Sequence, residues 1–215
     1  MLFEEKQNMK LYPIADSYSW IVKLISWGVK TVQLRIKLDP LTENNSLQKI
    51  ENEIKNSIQY CQSHNCQLFI NDYWEIALKY KAFGVHLGYE DSFHADISSL
   101  HKNKIRFGLS THDTNELNYA LELNPSYIAL GPIFPTKTKE MKFSPQGIEK
   151  ISIWRNKIPK SIPLVAIGGI KLENAHEIYI YGADSISIIH DFMSSSCPEE
   201  RIKDWLNMAN NNEFK

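Results

Sequence analysis

The sequence predicts an α/β protein, a closed (β/α)8 barrel in one domain spanning residues 1–215. Three observations carry that expectation. Eight short apolar or β-branched runs recur along the chain, segments of helical periodicity separate them, and 43% of the 215 residues are hydrophobic, enough for one sizeable core. Strand and helix alternating to the C-terminus imply a parallel sheet. An open doubly wound sheet satisfies the same alternation, but eight units in so short a chain favour closure into a TIM barrel.

LYPIA from Leu11 begins the series, followed by TVQLRI from Thr31, QLFIN from Gln67 and GVHLG from Gly84. IRFGLS from Ile105, YIALG from Tyr127, PLVAIG from Pro163 and SISII from Ser185 complete it. Ile21, Leu24 and Ile25 mark the apolar face of the first helix, and Ile50, Ile54 and Ile58 that of the second. Asp16, in DSYS before WIVKLI, reads as an N-cap. Most strands begin about 20 residues after the one before, but the connections that start at Lys37 and at Pro132 are longer. In a barrel both are βα loops on the C-terminal face, where ligand sites are built.

Composition narrows the ligands. The 24 basic residues nearly cancel the 25 acidic ones, so no global field steers the protein to nucleic acid or to an anionic membrane. Cys61, Cys66 and Cys197 are too few for a disulfide framework and lack the second pair of a zinc site, which points to reduced thiols in a cytoplasm. No run approaches the ~18 apolar residues of a membrane span, and the N-terminus lacks the layout of a signal peptide. The expectation is a soluble cytoplasmic protein with small-molecule ligands; a homo-oligomer remains compatible.

Polar groups stand at the ends of the apolar strands. Gln33, Arg35 and Lys37 alternate, so they share a face of the second strand and project together into the barrel mouth. Two cations and an amide on a buried face suit a polyphosphate, although a salt bridge to a neighbouring carboxylate is the plainer alternative. Asn71 and Asp72 end the third strand, Glu90 and Asp91 follow the fourth, and Ser110 lies on the fifth. Asp72 and Asp91 together suit magnesium, which takes one or two carboxylates plus phosphate oxygens; a helix cap is the plainer alternative for each. The connection from Gly131 to Gly147, GPIFPTKTKEMKFSPQG, reads as a phosphate clamp or as a solvated loop. AIGGI (Ala166 to Ile170) and the backbone at Ile189 and His190 suit a phosphate cradle. His86 reads as a hydrogen-bonded interior histidine, and His112 as the start of a helix.

Taken in order, QLRIK (Gln33 to Lys37), ND (Asn71-Asp72), GVHLGYED (Gly84 to Asp91), GLSTH (Gly108 to His112), LGPIFPTKTK (Leu130 to Lys139) and AIGGI resemble the thiamine phosphate synthase family. The resemblance runs from about Leu11 to Ile189. It implies a magnesium-dependent transferase that joins a pyrimidine carrying a pyrophosphate to a thiazole carrying a phosphate. It further implies that Gln33, Leu34, Arg35, Ile36, Lys37, Asn71, Ser110 and Lys139 bind the pyrimidine pyrophosphate, with Arg35, Lys37 and Lys139 catalytic. Asp72 and Asp91 fall to the metal, and Thr136, Lys137, Thr138, Gly169, Ile189 and His190 to the thiazole phosphate. The chain departs from the family's usual pattern at Ile36, commonly glutamate, and at His190, commonly a small hydroxyl residue. A thiazole tautomerase of the same fold and a catalytically silent sensor are the rival readings. The charged residues Arg35, Lys37, Asp72, Asp91 and Lys139 argue against both.

Overall fold

The computed structural model describes residues 9–36, 47–136 and 143–211. The expected site residues Lys37, Lys137, Thr138 and Lys139 lie outside these described residues. Eight parallel strands close into a barrel in chain order: β1 (Leu11–Ala15), β2 (Thr31–Leu34), β3 (Gln67–Asn71), β4 (Gly84–Leu87), β5 (Arg106–Thr111), β6 (Tyr127–Leu130), β7 (Leu164–Ile167) and β8 (Ser185–Ile188). Closure is made by β1 pairing with β8, Tyr12 opposite Ser187. All eight expected strands are present. The second is shorter than its apolar run, ending at Leu34, although the Arg35 amide still bonds the Ala15 carbonyl at 2.7 Å.

Helices α1 (Tyr18–Ser26), α2 (Leu47–Ser63), α3 (Trp74–Lys79), α4 (Tyr89–Ser92) and α5 (Ile97–Lys102) cover the first half of the barrel. The second half carries α6 (Thr114–Glu122), α7 (Glu149–Lys157), α8 (Ala175–Ile180), α9 (His190–Met193) and α10 (Pro198–Asn211). Among the described residues no helix is long and apolar enough to cross a membrane.

Period-two alternation divides the apolar residues between two cores. Val32, Leu34, Leu68, Ile70, Ile186 and Ile188 point outward to a core under the helices, where Ile21, Leu24, Ile25, Ile50, Ile54 and Ile58 meet them. Met9, Tyr12, Phe69, Tyr127, Ala129 and Val165 fill the barrel interior. There the Phe69 and Tyr127 rings pack edge to face, centroids 5.2 Å apart. Gly108 makes room for that packing: a Cβ on it would lie 2.0 Å from Tyr127 Cζ.

Asp16 does not cap α1. The cap position is Ser17, whose hydroxyl donates to Asp16, and no side chain of the segment caps the helix. Instead Glu53 of α2 reaches across and accepts the Tyr18 amide at 2.6 Å, a contact between residues 35 apart in sequence. His112 likewise stands before the helix rather than in it. Asp113 is the cap, accepting from the Glu116 amide at 2.9 Å, and Glu116 in return accepts the His112 amide at 2.8 Å.

The face opposite the strand C-termini is built by one device used repeatedly. Helices α1, α2, α3, α5 and α8 end in a left-handed residue at Gly28, Asn65, Lys81, Lys104 and Gly182. The next amide bonds back to the carbonyl five residues earlier, as Ala82 does to Ala77 and Ile105 to Leu100, both at 2.9 Å. Those next residues, Val29, Cys66, Ala82, Ile105 and Ala183, are buried, so each helix stop also seats the start of a strand. Lys81 and Lys104 adopt φ of 52° and 57° with a Cβ, at a cost of roughly 1 kcal/mol each that glycine avoids. Lys81→Gly and Lys104→Gly should therefore each stabilise by a few tenths to about 1 kcal/mol. The check is the urea midpoint; a lowered midpoint in both would show that side-chain contacts outweigh the backbone term.

Candidate active site

A cavity of about 1140 Å³ opens at the C-terminal ends of the strands. Gln33, Arg35, Asn71, Asp72, Asp91, Ser110, Thr136, Gly169, Ile189 and His190, drawn from seven of the strand-and-loop units, all line it. Leu34 and Ile36 do not. Leu34 is buried in the outer core and Ile36 packs against it, because alternation turns them away from Gln33 and Arg35; only their main chain is left to meet a ligand.

One side of the cavity is cationic and amidic, with carboxylates beside it. Arg35 stands just past β2 and makes no ion pair with a carboxylate among the described residues, so the salt-bridge alternative finds no partner there. Asp72 holds φ of 66°, a left-handed turn at the end of β3. That backbone region is unfavourable for most side chains and is tolerated best by glycine, asparagine and aspartate. The Asn71 amide donates to its carboxylate. Neither acid is taken up as a helix cap: the cap position of α3 is Tyr73 and that of α4 is Gly88, both without a side-chain cap bond.

The other side is a main-chain cradle. Gly168 and Gly169 follow β7 with φ of 98° and 66°. A Cβ on Gly169 would lie 2.5 Å from the Pro135 carbonyl oxygen, so the close approach of the loops after β6 and β7 leaves no room for a side chain there. Two hydrogen bonds join them, Ile133 to Ile167 at 2.9 Å and Phe134 to Gly168 at 3.0 Å. Two more, Gln146 to Pro132 at 2.7 Å and Gly147 to Ile133 at 3.1 Å, bring the returning end of the β6 loop back to the same place. Thr136 stands at the cavity wall just beyond this clamp, and His190 opens α9 after Ile189.

His86 is hydrogen-bonded through both ring nitrogens, as an interior histidine should be, yet it also borders the cavity. His112 was not expected in the wall but lies there too, stacked on Phe143 at 4.3 Å between ring centroids. Beyond His190 the wall includes Lys171, Glu173, Asp191 and Arg201. Arg201 of α10 grips both oxygens of Asp191, at 2.8 and 2.9 Å, and reaches Glu173 at 2.9 Å. The bonds to Asp191, and then the one to Glu173, raise the guanidinium pKa further above its already high value. The Trp205 indole donates to the same aspartate at 2.6 Å. No sequence signal marked this cluster, since its members come from three separate helical segments.

Geometry alone leaves many phosphate-binding barrels open; the match of a family model narrows them. The thiamine monophosphate synthase model matches residues 7–192. The chain belongs to that family. A thiamine-phosphate synthase of Rhizobium etli is 43% identical over 195 residues, covering 91% of this chain and 92% of the relative. One of Photorhabdus laumondii is 45% identical over 184 residues, 86% of this chain and 82% of the relative. Among solved structures, thiamine phosphate pyrophosphorylase from Pyrococcus furiosus superposes with a TM-score of 0.79 at 25% identity, covering 95% of this chain and 96% of that one. Family and fold thus agree on the whole barrel.

Proposed function

We propose that the protein is a thiamine phosphate synthase, a transferase that joins an aminopyrimidine methyl pyrophosphate to a thiazole phosphate and releases pyrophosphate. The observation that carries this is the two-sided cavity: Gln33, Arg35, Asn71 and Ser110 with two carboxylates on one side, and a glycine cradle with Thr136 and His190 on the other. Two phosphorylated ligands can lie in it with their reacting groups between.

In this reading the bond from the pyrimidine methylene carbon to pyrophosphate oxygen breaks first, leaving a cation that the electron-rich aminopyrimidine stabilises. The thiazole nitrogen then bonds to that carbon. Arg35 meets charge that grows on the leaving group, which is where electrostatic stabilisation acts most strongly. Lys37 and Lys139 are assigned the same task on the family's pattern, and Lys137 and Thr138 are assigned with Thr136 and Gly169 to the thiazole phosphate. No general base or nucleophile from the protein is needed.

Asp72 and Asp91 fit a magnesium ion. They are oxygen donors facing one cavity, Asp72 directly after β3 and Asp91 in α4 after β4, and among the described residues no group of three or more metal-ligating side chains offers a complete cage. Magnesium characteristically takes one or two carboxylates and fills its remaining positions with water and phosphate oxygens. When bound it would neutralise part of the departing pyrophosphate's charge. The buried thiols of Cys61 and Cys66, with free Cys197, suit the cytoplasmic setting inferred for such an enzyme.

The test is to mix the purified protein with both substrates and magnesium and to look for thiamine phosphate and pyrophosphate by mass spectrometry. Product should form with magnesium and disappear in excess chelator. Full activity in chelator would remove the metal from the scheme, and no product with magnesium would refute the synthase reading.

A further inference from the structure

Five polar groups form one unbroken chain across the barrel interior, and the three in its middle have no part in the chemistry above. Gln33 Nε2 donates to the Tyr12 hydroxyl at 3.1 Å, and the Tyr12 and Tyr127 hydroxyls lie 2.9 Å apart. His86 Nδ1 is 2.7 Å from the Tyr127 hydroxyl, and His86 Nε2 is 2.9 Å from Ser110 Oγ. Both phenols are buried, and burial pushes their pKa values up, so each keeps its proton at any working pH. Gln33, His86 and Ser110 border the cavity.

A phenol and a neutral imidazole each carry one proton to donate, so direction propagates along such a chain. Because the Gln33 amide nitrogen donates to Tyr12, the Tyr12 proton goes to Tyr127 and the Tyr127 proton to His86 Nδ1. His86 then carries its own proton on Nε2 and gives it to Ser110. What remains for a ligand is the Gln33 carbonyl oxygen at one end and the Ser110 O–H at the other. Flipping the Gln33 amide would reverse every bond and both ends together.

We infer that Tyr12, Tyr127 and His86 are positioning residues that lock Gln33 and Ser110 into opposite hydrogen-bonding roles, acceptor and donor, and so select a 4-aminopyrimidine over its 4-oxo counterpart. This rests on the proposed function for the identity of the ligand. An aminopyrimidine offers amino N–H groups to Gln33 and a ring-nitrogen lone pair to Ser110. The 4-oxo ring presents an acceptor where the amino group was and a ring N–H beside it, so it meets acceptor with acceptor and donor with donor. Sites built to hydrogen-bond one form reject the mismatched one strongly, because buried polar groups are left unpaired.

The experiment measures affinity rather than turnover. Titration calorimetry of the whole protein with magnesium compares the 4-amino and 4-oxo pyrimidine methyl pyrophosphates, without the thiazole phosphate. Wild type should prefer the amino form by on the order of a hundredfold. Tyr127→Phe keeps the ring that fills the interior over Gly108 but cuts the chain, and should lower that preference at least tenfold; Tyr12→Phe should do the same. In the histidine-labelled wild-type protein, nitrogen NMR should show His86 unprotonated at Nδ1 and protonated at Nε2, a readout that a merely structural role would not demand. A wild-type preference in both folded variants, no preference in wild type, or His86 protonated at Nδ1 would each overturn the inference. Intact discrimination without product would count against the proposed function alone.

Discussion

Asp72→Ala and Asp91→Ala should each lower turnover by on the order of a hundredfold or more, a loss of about 2.7 kcal/mol of transition-state stabilisation. Both carboxylates face the cavity and neither caps a helix, so under the proposed assignment their removal acts on the bound magnesium and pyrophosphate rather than through a lost helix cap. Asp72 sits at φ of 66°, where alanine is strained and asparagine is not. Asp72→Asn therefore separates the two effects: it keeps the backbone turn, removes the charge, and should be as slow as the alanine variant. Turnover at saturating substrates across a magnesium titration is the measurement, with thermal melts to confirm folding. Normal kinetics at low magnesium in Asp72→Asn or Asp91→Ala would take that residue out of the metal site.

The largest effect on stability should come from Trp205→Ala, roughly 3–5 kcal/mol. Trp205 is a fully buried residue of α10, which packs against α9, and its indole N–H is one of the donors that hold Asp191. For a domain of this size such a loss lowers the melting temperature by roughly 6–20 °C. Trp205→Phe retains most of the buried ring and leaves Asp191 its two bonds to Arg201, so it should recover more than half of the deficit. Urea unfolding of the three proteins gives the comparison. Equal losses in both variants would mean that the hydrogen bond, not the volume, carries the stability.

The barrel was legible because its signal is local. Each strand is a run of four to six residues whose apolar alternation needs no knowledge of the rest of the chain. The strand-end residues that line the cavity were legible for a related reason: Gln33, Asn71 and Ser110 break that alternation toward polarity, and Arg35 follows it with charge. What escaped was pairwise and distant. Asp16 looked like the cap of α1 because local rules favour it, whereas Glu53 from the next helix competes for the same amide and wins. Arg201, Asp191 and Glu173 carry ordinary helix-surface character one by one, and only the packing of α10 against α9 makes them a wall of the cavity. Tyr12 and Tyr127 lie 115 residues apart, and nothing local says that their hydroxyls meet. His86 was legible as a bonded interior histidine, but not which groups it joins.

The clamp at the base of the β6 loop bears on how the length of that connection can change. The chain leaves at Ile133 and Phe134 and returns at Gln146 and Gly147, tied there to Pro132 and Ile133 and, through Gly168, to the next loop. Closure is thus secured below the loop by main-chain bonds that do not depend on what lies between. Closure entropy grows only with the logarithm of length, so doubling the intervening segment costs about 0.6 kcal/mol. Residues can be inserted or deleted there at a cost well below that of disturbing any one of the barrel's buried rings.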